Sequence, residues 1–452
     1  MKIRRPVHQD IIDDRVLDPA LGARSGRLVC PRETWFIRLM NDGGTCAPGF
    51  EEVRAEFERN FIERGEVGAA VCVTLDGEIV VDLWGGIADP VTGRAWERDT
   101  ICVVWSCTKG ATALCAHILV ARGQLDLDAP VASYWPEFAR NGKQEITVRM
   151  LLAHQAGLAA FTEPIPENGY LDWDSIVARL ASQAPLWQPG TRHGYHALTY
   201  GHLVGELVRR ISGKSLGTFF RDEVARPLNL DLWIGLPEEY ESRVSPTIPA
   251  PPFQPGQLIP AFYRAGLTDP ASIAAGVLMN SGLMFAPGWC DSRAAHAAEL
   301  PAAGGIGNAR ALAGMYRALA VGGTIDGVQL VDDAGLAAMG AVASASSVDA
   351  TLLMPARWAL GFMKSIDNSA LGPGEQDSVV LSEDAFGHPG RGGSIGFADP
   401  RARMSFGYTM NRQGTSVCLD QRGQSLVDAT YRALGYRRSS RGGSWFKVAT
   451  RG

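Results

Sequence analysis

Runs with the two-residue period of β-strands stand at opposite ends of this chain, and a long helical stretch lies between them. Near the start, Ala69 to Leu75 and Glu78 to Trp84 flank Asp76-Gly77, a turn pair suited to a tight hairpin. Past Ala350, strands are predicted over Trp358 to Met363, Glu383 to Phe386 and Gly393 to Phe397. After an Asp399-Pro400 turn another follows, Met404 to Met410. A lone hairpin is marginal in water, so both groups are expected to join one sheet. The spacing of apolar residues predicts helices from about Phe50 to Arg64, Trp173 to Gln183, Tyr200 to Ser212, Ala309 to Ala320 and Gln424 to Leu434. The expected class is therefore α+β. A sheet lobe would draw on residues 51–125 and 345–452, beside a mostly helical lobe from 126–344. Residues 1–50 have little periodicity and are expected to form a leader packed on the surface or on a neighbouring subunit. The stretch from about 245 to 300 is rich in Pro and aromatic residues, and reads either as a lid or binding loop or as a structural excursion.

The chain has 452 residues, 46% hydrophobic and 20% charged, which suits a soluble globular protein with a large core. A net charge of −5 gives no reason to expect nucleic acid or an anionic membrane as partner. No apolar run is long enough to span a bilayer, and Asp10, Asp13 and Asp14 interrupt any export signal, so a cytoplasmic location is expected. The eight cysteines are scattered through apolar runs without a C-x-x-C pair. Buried free thiols are expected, with no disulfide, metal or cofactor.

The chemistry concentrates in Val103-Val104-Trp105-Ser106-Cys107-Thr108-Lys109-Gly110, where a short apolar run opens into a helix. Ser106 falls at or just before the first turn, with Lys109 one turn along on the same face. Ser-x-x-Lys on its own also describes a helix-capping serine with a solvated lysine. In a pocket that keeps the amine neutral, the same pair is a nucleophile with its base. Two further stretches stand out. Pro189-Gly190-Thr191-Arg192-His193-Gly194-Tyr195-His196-Ala197 holds a tyrosine in a loop before a helix. Gly387-His388-Pro389-Gly390-Arg391-Gly392-Gly393-Ser394-Ile395-Gly396-Phe397 is a glycine-rich strand edge along which a ligand could lie close to the backbone.

Taken together, Ser106/Lys109, Tyr195 and His388-Pro389-Gly390 resemble, in order and spacing, the three elements of the serine β-lactamase and penicillin-binding protein superfamily. The likeness is greatest to its class C-like esterase branch, the family VIII carboxylesterases. Leu127-Asp128-Ala129-Pro130-Val131 with Tyr134-Trp135-Pro136, Leu151 to Gly157, and Gly322 to Gly327 extend it, so that it covers roughly residues 55 to 435. The resemblance implies a transpeptidase-like fold with an antiparallel sheet flanked by helices. It implies Ser106 as the acylated nucleophile and Lys109 with Tyr195 as coupled base and acid. The backbone N–H groups of Ser106 and Arg391, the residue after Gly390, would form the oxyanion hole. His388 would face the pocket near Tyr195 as a polar or weakly cationic group.

The chain departs from the family's pattern in two places. Ala197 replaces the Asn of Tyr-x-Asn, and His388 replaces the lysine of Lys-Thr-Gly. In β-lactamases these residues bind the substrate's side-chain amide and carboxylate, and a buried partner left unpaired costs about 1–3 kcal/mol. The departures turn the expectation toward a neutral carboxylic ester of short to moderate chain length. An amidase, D-aminopeptidase, weak β-lactamase or acyltransferase on the same machinery is an alternative, as is a catalytically silent acyl-binding sensor. The expected partner is a small-molecule ester, with homo-oligomerisation left open. Gly392-Gly393-Ser394-Ile395-Gly396 also fits the G-x-S-x-G elbow, but a strand follows it and no histidine lies downstream, so Ser394 is not expected to be the nucleophile. His154 is expected to be a satisfied structural histidine.

Overall fold

The computed structural model describes residues 43–254, 256–439 and 442–448. In chain order it has β1 (Gly44–Cys46), α1 (Glu51–Glu63), β2 (Gly68–Leu75), β3 (Glu78–Asp89), β4 (Cys102–Trp105) and α2 (Thr108–Ala121). The helical middle includes α3 (Trp173–Ser182), α4 (Thr199–Ser212), α5 (Ala261–Thr268), α6 (Ile273–Met279) and α7 (Ala309–Ala320). Last come β5 (Ser344–Ser346), β6 (Ala356–Trp358), β7 (Met363–Lys364), β8 (Phe386–Pro389), β9 (Ile395–Asp399), β10 (Met404–Met410) and α8 (Gln421–Ala433).

Strands from both ends form one antiparallel sheet in the order β1-β3-β2-β10-β9-β8-β7-β6-β5. β2 joins the two groups: Val73 lies opposite Val81 on β3 and opposite Phe406 on β10. Alternation along β10 sends Phe406 and Tyr408 to one face, where α1 and α8 cover them, and Gly407 to the other. On that other face α7 lies very close. Gly396 and Gly407 are paired in register, and a Cβ there would meet the Tyr316 ring at 2.8 Å and the Ala309 carbonyl at 2.2 Å. Beside this layer, α2 is apolar almost all round and is accordingly buried in a second core together with α4.

Several expectations need correction. The single strand predicted over Trp358 to Met363 is two short strands, β6 and β7, because Gly361 at φ +94° turns the chain back between them. The strands predicted over Glu383 to Phe386 and Gly393 to Phe397 are displaced toward the C-terminus. Gly392 and Gly393, at φ +85° and +118°, make the turn that joins β8 and β9. The 245–300 stretch contains α5, α6 and a further short helix, Arg293–Ala297. Of the expected leader, residues 1–42 lie outside the described residues, whereas Gly44–Cys46 pairs with β3 at the sheet edge. The described cysteines are all free thiols. Among the described residues no helix is long and apolar enough to cross a membrane, and no group of ligating side chains gathers as a metal site.

Candidate active site

β4 ends at Trp105, whose φ of +49° is a left-handed conformation that costs a non-glycine residue about 1–3 kcal/mol. This turn leaves Ser106 half-buried ahead of α2 and swings Lys109 inward, where its side chain is fully buried. Lys109 Nζ lies 3.0 Å from Ser106 Oγ and donates to the carbonyls of Ala197 at 2.7 Å and Ala302 at 2.8 Å. Burial without a carboxylate partner pushes the Lys109 amine well below the ordinary lysine range. A neutral amine has two N–H groups and one lone pair. With the N–H groups on the two carbonyls, the lone pair is directed at the Ser106 hydroxyl.

The Tyr195 phenol donates to Ser106 Oγ at 2.8 Å, and burial pushes its pKa up, so it holds its proton. The loop carrying it is fastened at successive residues. Asp349 Oδ1 accepts from the backbone N–H groups of Tyr195 (3.0 Å), Thr351 (2.8 Å) and Leu352 (2.9 Å). Asp349 Oδ2 accepts from Trp358 Nε1 at 3.2 Å, with His193 Nε2 3.7 Å away. The Trp358 indole lies parallel to the Tyr195 ring, with centroids 5.2 Å apart. His196 Nε2 accepts from the Leu158 N–H at 3.0 Å, and its Nδ1–H donates to the Gly194 carbonyl at 2.7 Å. Sequence reasoning missed both Asp349 and Trp358. Asp349 sits in no motif, and the only signal for Trp358 was its place in a predicted strand.

The third element passes directly behind Ser106. A Cβ on Gly390 would meet Ser394 Oγ at 2.2 Å and the Val104 carbonyl at 2.4 Å, so only glycine fits at this crossing. The N–H groups of Gly390 and Gly393 are taken by Ser394 O and Gly390 O, whereas among the described residues those of Arg391 and Ser106 have no acceptor. Ser394 is buried and donates to the Val104 carbonyl at 3.2 Å, which ties this turn to the end of β4. Cys107 packs against it, and burial pushes its thiol up to about 12. His388 does lie near Tyr195, with ring centroids 5.8 Å apart, but its cationic character is not realised. Desolvation pushes its imidazole down to about 3, and its Nδ1–H donates to the Pro389 carbonyl at 2.7 Å. His154 packs behind the same tyrosine and is only half satisfied. Its Nδ1 accepts from the His196 N–H at 3.1 Å, while Nε2 has no partner among the described residues.

Ser106 and Tyr195 open onto a small cavity of about 70 Å³. Phe262 and Tyr263 of α5, Val277 and Leu278 of α6, and Phe285 form much of its lining, together with Trp105 and Arg391. The Pro- and aromatic-rich stretch therefore supplies a wall of the site.

The chain matches the Beta-lactamase family model over residues 53–429. It is 36% identical over 387 residues to the protein named Esterase/beta-lactamase LipL of Mycobacterium tuberculosis, covering 82% of each chain. Among solved structures it is similar to a family VIII carboxylesterase, at 40% identity and a TM-score of 0.73, covering 86% of this chain and 99% of that one. A penicillin-binding protein homologue from Caulobacter crescentus is similar at 38% identity and a TM-score of 0.74, with the same coverage of 86% and 99%.

Proposed function

The chain belongs to the β-lactamase family, and from that premise we propose that it is a serine carboxylesterase acting on esters of short to moderate chain length. At the coarser level it is a hydrolase of the β-lactamase fold, since esterases recur among its similar proteins. One observation carries the finer reading: Ser106 Oγ lies within hydrogen-bond distance of both Lys109 Nζ and Tyr195 OH, at the edge of a largely apolar cavity.

Lys109 takes the Ser106 proton as Oγ attacks the ester carbonyl carbon. The unpaired N–H groups of Ser106 and Arg391 receive the oxyanion. As the bond to the alcohol oxygen breaks, Tyr195 gives that oxygen its proton and is reprotonated from Lys109. Water, deprotonated by the same pair, then attacks the Ser106 ester and releases the acid. The free thiols are in keeping with a reducing, cytoplasmic setting.

Labelling with a fluorophosphonate probe tests the nucleophile: Ser106→Ala is expected to abolish it and Ser394→Ala to leave it intact. Turnover of p-nitrophenyl butyrate well past one equivalent, with nitrocefin hydrolysed far more slowly, is the expected profile. A stoichiometric burst without turnover would replace the esterase reading with an acyl-binding sensor, and faster nitrocefin hydrolysis would replace it with a β-lactamase.

A further inference from the structure

Arg391 enters the proposed mechanism only through its backbone N–H, a role any residue could fill. Its side chain nevertheless lines the same cavity. The guanidinium carbon lies 5.2 Å from the Trp105 ring centroid and 5.2 Å from that of Phe285. No carboxylate lines the cavity, and among the described residues none pairs with Arg391. Two polar aromatic side chains flank it. The Tyr263 phenol is near enough for the Arg391 charge to offset part of the rise that burial causes in its pKa. The Trp105 indole is buried, and its Nε1–H has no acceptor among the described residues. A largely apolar cavity thus carries a half-buried cation with no anion in its lining, a charge left open to pairing with a ligand's anion. A guanidinium's planar fork of N–H groups matches a carboxylate.

We propose that Arg391 is a specificity-determining residue for esters that carry a carboxylate a short spacer away from the scissile bond. Half-esters of dicarboxylic acids and esters of hydroxy acids share that chemistry. The inference rests on the esterase reading of Ser106 and narrows its substrate class. Because the Arg391 N–H faces the reacting carbonyl in that reading, the side chain is tethered beside the same carbon, which keeps the spacer short. The expectation of a neutral ester, drawn from the missing lysine at His388, is reversed: Arg391 brings the positive charge from another position. The competing role is a strut, with the guanidinium merely wedged between Trp105 and Phe285.

The test compares kcat/KM for ethanol release from monoethyl glutarate and from ethyl pentanoate, which places the charge on the acyl side. A second arm compares the butyrate ester of glycolate with ethyl butyrate, which places it on the alcohol side. In at least one arm the wild type is expected to prefer the anionic ester by about tenfold or more, the value of one hydrogen bond to a charged group. Arg391→Met should erase that preference, Arg391→Lys should keep part of it, and added salt should weaken it. No preference in either arm overturns the proposal, as does a preference that survives Arg391→Met. Equal losses on both ester classes make Arg391 a strut and also overturn it. Should Arg391→Met fail to fold, competition against p-nitrophenyl butyrate on the wild type decides: inhibition by glutarate but not by glutaramide supports the proposal, and equal effects reject it. A wild type inert toward every ester sinks the parent reading, whereas neutral-ester turnover without an anionic preference sinks this inference alone.

Discussion

The two sides of the cavity are held by different forces. On one side Ser106, Lys109 and Tyr195 are fixed by directional hydrogen bonds to one another, to the Ala197 and Ala302 carbonyls and to Asp349. On the other, Phe262 and Val277 pack with Ala160 and Ala274 in a small apolar cluster of their own. Leu267 and Met279, on the same two helices, remain 62% and 60% exposed. Hydrogen bonds fix atoms in direction as well as distance, while apolar packing tolerates swaps that conserve volume. The polar side can set the reaction, and the apolar side can change its substrate without disturbing the first.

Substitutions on the two sides should therefore differ in kind as well as in size. Ser106→Ala should remove ester turnover altogether. Lys109→Ala and Tyr195→Phe should each lower kcat by about 10²-fold or more, the scale of an acid–base group, and near wild-type activity in either would take that residue out of the mechanism. The acid limb of a pH–rate profile comes next. Lys109 works as a base only when neutral, so kcat/KM should rise with pH through its lowered pKa and fall about tenfold per unit below it. A profile flat well into the acid range would place the base elsewhere. Asp349→Ala leaves three backbone N–H groups and an indole N–H unpaired, each costing about 1–3 kcal/mol where it stays buried. Tm should fall, and kcat should drop by about tenfold with KM little changed, because Tyr195 loses its register without any loss of substrate contact. On the apolar side, Leu278→Ala should change kcat for a short ester by less than about tenfold while shifting preference toward longer acyl chains, since one or two methylenes in a pocket count for that much. A loss there as large as that of Lys109→Ala would break the division of labour.

The polar side was largely legible in the sequence because its chemistry depends on fixed spacing: Ser106 and Lys109 had to be one helical turn apart, and Gly390 had to lack a side chain. The sheet was legible as well. Met404 to Met410 alternates as an edge-to-edge paired strand should, and the hairpin at Asp76-Gly77 declared itself. Asp349 was not legible, since its bonds to the nearby Thr351 and Leu352 N–H groups are those of any turn-forming aspartate, and the bond that ties it to the site comes from Tyr195, 154 positions away. The helices α5 and α6 were obscured by the prolines and aromatic residues around them, which read as loop. The His388 ring centroid lies 5.8 Å from that of Tyr195, but its charge depends on desolvation, which only the packing reveals.

The assembly of the sheet has a consequence for how the protein is made. β2 is translated early, yet one of its two neighbours is β10, and the Thr74 to Ser405 hydroxyl contact joins residues 331 positions apart. A nascent chain emerging from the ribosome must hold an apolar strand edge unpaired until nearly the whole polypeptide has been released, an exposure that invites aggregation. Chaperone dependence and low yield at high expression rates should follow from this topology, and slower translation ahead of residue 404 would not relieve them.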